Sequence, residues 1–248
     1  MRPSLTVLAS NPNLISGIYN YCDRWCERCP LTSHCLVYAT EQQNEVSSQN
    51  QDIPNAAFWR KLNTIMDETR EVIAEWANQA GIDLNQSADD TQTPNKRKQR
   101  NVDNHPLSKA GKKYANAASD WFRELEPTSD NEKADADARE IIQWYQYQIA
   151  VKTMRALSDR KTEEEDPHFA EQPKDSDGSA KVALIGIDRS IAAWRLMQLS
   201  LPERAEFVVP LILQLARLRN RLEKHFPDAR SFVRPGFDET LNCPTEAT

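Results

Sequence analysis

Apolar residues recur at three- and four-residue spacing through most of this chain, and no stretch alternates with period two. That periodicity puts side chains on one face of a helix and leaves no sheet to build. The stretch 56–80 carries Phe58, Leu62, Ile65, Met66, Val72 and Ile73 on one stripe, and Gly81 follows where a C-terminal cap would sit. Pro106 opens a second stretch, with Tyr114, Ala118, Trp121 and Leu125 in register. The run 133–159 places Ile141, Ile142, Tyr145, Ile149 and Lys152 on an inner face. The run 179–199 is apolar on nearly all sides, which predicts a central helix. Ser200 and Glu203 have the spacing of a capping box for a last helix, which ends near Pro227 and has Pro210 in its early turns. The expected fold class is therefore all-α, a helical bundle of about four long helices.

The composition between these stretches predicts breaks. Residues 41–54 read as a linker, 82–104 as a disordered insertion, 160–177 as an acidic loop and 228–248 as an irregular tail. The expected organisation is a cysteine-rich segment over 1–40, the linker, a bundle over 55–227, and the tail.

The N-terminal segment is different in kind. Four of the five cysteines, Cys22, Cys26, Cys29 and Cys35, fall within fourteen residues. Disulfide scaffolds belong to small secreted chains with dispersed cysteines. Clustered thiols in a reducing compartment are free to bind metal. Asn11 and Pro12 predict a helix start, and a helix from there to Cys29 would put Cys22, Cys26 and Cys29 on one face. Pro30 would end it, and the five residues before Cys35 would let the fourth sulfur converge on the same point. Four thiolates suit tetrahedral zinc or an iron–sulfur cluster. Only one C-x2-C pair is present, and three thiols on one helical stretch favour a 4Fe-4S cluster over zinc.

The stretch from Cys26 through Cys29-Pro30 to Cys35-Leu36 resembles the C-x2-C-P-x4-C-L segment of the WhiB-like iron–sulfur regulators. The match covers about fourteen residues and implies cluster ligation by Cys26, Cys29 and Cys35. Cys22 lies nearer to them than that family's first cysteine does, and no basic tail follows. Shared ligand geometry is implied, and regulation of DNA is not carried over. Arg24, Arg28 and His34 lie between the ligands, where they could offset thiolate charge or be solvated surface residues. Cys243 reads as a lone tail thiol.

Other chemistry is sparser. Asp188 sits in the most apolar helix and predicts a buried carboxylate with a basic partner, for which Lys152 and Arg155 on the preceding long helix are the candidates. An ion pair between helices is a commoner meaning than an acid–base pair. Glu165 and His168 have a di-metal spacing broken by Pro167. Trp144, Tyr145, Tyr147 and Trp194 read as core, or as an electron path. The basic run Lys96–Arg100 stands in a chain of net charge −6 and pI about 5.4, which argues against nucleic acid as a partner. No run of about 18 apolar residues and no secretory signal core is present, so a cytoplasmic location and no membrane are expected.

Three functions fit these residues. The first is a cluster protein for redox sensing or electron transfer to an unidentified protein partner. The second is a non-enzymatic interaction protein pinned by structural zinc. The third is a metalloenzyme joining the cluster to a polar bundle interior.

Overall fold

The computed structural model describes residues 8, 10–43, 56–81, 101–124, 136–165 and 174–238. The fold is all-α: among these residues there are helices and turns and no strand. The helices are α1 (Leu36–Gln43), α2 (Ala56–Ala80), α3 (Pro106–Glu124), α4 (Ala136–Glu165), α5 (Asp175–Ser200) and α6 (Ala205–His225). None is long and apolar enough to cross a membrane.

The described residues fall into two units. The smaller holds the residues up to Tyr19 together with Cys26 to Gly81. The larger holds Asn20–Trp25 and the residues from Asn101 onward.

In the smaller unit, α2 spans the stretch that periodicity marks out. It stops at Gly81, whose φ of 68° is cheap only without a Cβ. Met66, Ile73 and Trp76 on this helix are exposed. The region read as one helix from Asn11 to Cys29 contains only short 3-10 turns, at Ile18–Asn20 and Cys26–Arg28. Local bonding explains the departure. Asn11 Oδ1 accepts the Asn13 amide at 3.0 Å, so the asparagine makes a turn rather than a cap. Gly17 and Arg24 take the left-handed region, at φ 73° and 58°. Asp23 Oδ1 accepts the Trp25 amide at 3.2 Å, competing with helical pairing.

In the larger unit, α3 packs on α4 and α6, and α5 packs on the same two. The core between them holds Ile142, Tyr145, Ile149, Leu184, Ile187 and Leu215. Trp194 is fully buried, edge-on to Trp121 with ring centroids 5.0 Å apart, and gives its indole N–H to Tyr114 at 2.9 Å. Burial pushes the Tyr114 phenol up to about 12.

Several boundaries differ from the sequence reading. Residues 101–104 form a helical turn with Val102 buried, although composition placed them in the insertion. The acidic stretch expected as a loop is helical through Glu165 and again from Asp175, and residues 166–173 lie outside the described ones. Glu163 explains the early start of α5. It accepts the Ser176 amide at 2.8 Å and the Ser176 hydroxyl at 2.6 Å, capping from another helix a terminus where Lys174 makes no side-chain cap. The capping box at Ser200 and Glu203 does not form. Ser200 ends α5, a 3-10 turn runs Pro202–Arg204, and Arg204 precedes α6 with no side-chain cap bond. Leu201, fully buried, anchors that tight connection. The helix α6 continues through Pro210. Residues 44–55 and 82–100, with Cys243 and His168, lie outside the described residues.

Candidate functional site

The segment Asn20–Trp25 is held on α4 and α5 by its side chains and its backbone. Trp25 stacks on Trp144 at 5.0 Å and 16° and meets Tyr145 edge-on at 6.0 Å. Tyr21 donates to Asp175 and packs on Phe232 at 4.8 Å. The Tyr21 ring lies over Gly178, where a Cβ would also come within 2.8 Å of Phe232. Burial first, then the bond to Asp175, drives the Tyr21 phenol well above its ordinary value.

Asp23 is the centre of this contact. Its Oδ2 accepts Arg189 at 2.8 Å and the Tyr145 hydroxyl, which itself accepts from Arg189. The Asp23 carbonyl accepts Trp144 Nε1 at 3.0 Å and the Gln148 amide. Burial and the bond to Asp23 raise the Tyr145 phenol. Burial lowers the Arg189 guanidinium, but Tyr145 and Asp23 outweigh it and the net shift is upward.

Cys22 lies between these pins. All four N-terminal cysteines are half-buried, and none is joined in a disulfide. Burial pushes the Cys22 thiol up, and the Arg24 backbone N–H and the charge of Lys152 oppose it. Lys152, itself buried, has its amine pulled down by that burial and raised by Cys22. Its ammonium donates to the Asn20 carbonyl at 3.3 Å.

In the smaller unit, Cys26 and Cys29 bracket a single 3-10 turn, with the Cys29 amide on the Cys26 carbonyl at 3.2 Å. The Leu31 amide donates to Cys29 Sγ at 3.4 Å. Cys22 and Cys29 thus share one local device, a sulfur accepting the amide two residues on. An N–H aimed at sulfur holds the side chain in one orientation, as the outer support of a ligand does. Cys35 immediately precedes α1. His34 donates through Nδ1 to the Asn13 carbonyl at 2.8 Å, and its own carbonyl takes the Ile15 amide at 3.0 Å. The helical face expected to align three sulfurs is absent. Among the described residues no three His, Cys, Asp or Glu side chains come together as a ligand group.

Comparison with family models, with curated proteins and with solved structures finds no match to this chain.

The expected pair of Asp188 with Lys152 or Arg155 does not form. Asp188 points toward α6 and the segment after it, taking Arg219 at 3.2 Å and Arg230 at 2.7 Å. Its side chain is 38% exposed, so it is not a buried carboxylate. Lys152 faces the docked segment instead, and Arg155 pairs with Asp159 on its own helix at 3.4 Å. The reason is angular: on the central helix, Asp188 belongs to the stripe facing α6, whereas the neighbouring Arg189 faces Tyr145 of α4 and Asp23. Tyr147 is exposed and bonds Ser119 at 2.7 Å. Asp23 and Arg189 escaped the sequence reading, since nothing in either residue's local pattern names a partner so far along the chain.

Proposed function

We propose that Cys22, Cys26, Cys29 and Cys35 hold one metal centre, in a reducing cytoplasm, on a scaffold in which the four packed helices act as a bundle. The observation that carries this reading is the repeated N–H to sulfur bond, from Arg24 to Cys22 and from Leu31 to Cys29. Such bonds are the ordinary outer support of thiolate ligands. Lys152 beside Cys22 supplies a positive charge that a tetrathiolate site needs. The metal would remove the thiol protons outright and couple its binding to ordering of the ligand segment.

The preferred form is a 4Fe-4S cluster used for redox sensing or electron transfer to a protein partner. It rests on the C-x2-C-P-x4-C-L resemblance, since the helical-face argument has fallen away. The turn at Cys26–Cys29 favours a second reading, a structural zinc that pins an interaction protein, because C-x2-C turns are common in zinc sites. The chain purified without oxygen discriminates. A brown protein with iron and acid-labile sulfide supports the cluster. A colourless protein with one zinc supports the second reading, and a metal-free chain overturns both.

A further inference from the structure

We propose that the groove between α5 and α6 docks an amphipathic helix with acidic flanks from a protein partner. This inference is independent of what the cysteines bind.

The groove has a volume of about 530 Å³, within the range of formed binding sites. Its floor is Ile191, Ala192, Ile212 and Ala216, with the two alanines leaving room for close approach of another backbone. At one end Arg219 and Arg230 are matched by Asp188 and Glu223. Arg195, further along the α5 wall, is exposed and has no ion-pair partner among the described residues. It is the groove's unmatched charge.

The same stripes continue past Arg195 to Leu199 on α5 and Val209 on α6. Leu199 is 78% exposed and Val209 41%, and Leu196 and Leu213, one turn from them on the same helices, are exposed as well. Large apolar residues gathered in this way mark an interaction surface. The wall from Asp188 to Leu199 is about 16 Å long, roughly three helical turns. A third helix laid between the two fits that length, and the lone guanidinium selects carboxylates on its flank.

The test uses the full chain and two labelled synthetic helices of about four turns. Both carry leucines at three- and four-residue spacing. One is flanked by glutamates and the other by lysines at the same positions. Fluorescence anisotropy should show saturable binding of the glutamate peptide and binding of the lysine peptide weaker by roughly tenfold or more. Arg195→Glu, an exposed position that should not disturb folding, should reverse that preference. Ala192→Trp should fill the floor and weaken both. Equal binding of the two peptides, a preference that survives Arg195→Glu, or no binding of either overturns the proposal. So does self-association of the wild type that Ala192→Trp disperses, which would give this face to a second copy of the chain.

Discussion

At the scale of single residues, Asp23 carries much of the docking of its segment. One carboxylate oxygen takes Arg189 and Tyr145, the other takes the Trp25 amide, and its carbonyl takes Trp144 and Gln148. Asp23→Ala leaves the Tyr145 hydroxyl without its acceptor and Arg189 without its carboxylate partner, and should lower stability in urea by about 2 kcal/mol. Asp188→Asn is the contrast. Its partners and its own side chain are more than a third exposed, so the change should lower stability by no more than about 1 kcal/mol. A larger loss would restore Asp188 to the buried role the sequence suggested. The third residue is Asp238. Burial raises its carboxyl, but Arg234 at 2.9 Å and Lys181 at 2.8 Å win and hold it well below the usual carboxylate range. A depressed folded pKa gives stability that is present above the unfolded value of about 3.9 and is lost as pH falls further. Unfolding curves below pH 4.5 or so should therefore be steeper in pH for the wild type than for Asp238→Asn. At this scale the cysteine spacing was legible because four like residues crowd together. Asp23 and Glu163 were not, since each acts on residues that only the packing brings to it.

Among the elements, legibility followed how local the deciding interactions are. The end of α2 at Gly81 could be read because the left-handed turn is a property of one residue. Gly81→Ala has open space for its Cβ but the wrong φ, so it should fray the end of α2 and cost about 1 kcal/mol. Loss of amide protection confined to the last turn of α2 would be the sign. The stretch 11–29 was misread because its apolar positions fit a helical period while Asn11 and Asp23 spend their side chains on turns and Tyr21 and Trp25 are claimed by α4, α5 and the Phe232 segment. Residues 101–104 were misread from composition, which does not register one buried side chain. Val102 is 6% exposed and part of the core, so Val102→Ala should lower the denaturant midpoint by the equivalent of about 1–2 kcal/mol. No change on that substitution would mean that the helical turn is incidental.

For the molecule as a whole, the all-α class followed from period alone, while the choice of helix neighbours did not. Asp188 and Lys152 both sit on predicted inner faces, yet one meets α6 and the other meets the cysteine segment. A helical period says that a face is covered and leaves open by what. The larger unit offers the segment Asn20–Trp25 a fitted seat, and Cys22 lies in it beside Lys152. The proposal is that this thiol and its three neighbours ligate one metal. X-ray absorption on the 248-residue chain purified without oxygen decides it. The expected spectrum is that of a bound metal whose nearest shell is sulfur alone, with four protein thiolates lost one at a time in the Cys→Ser variants, at about 2.3 Å if the metal is zinc. A shell of nitrogen or oxygen, or a metal content unchanged when Cys22 or Cys35 is replaced, would contradict it.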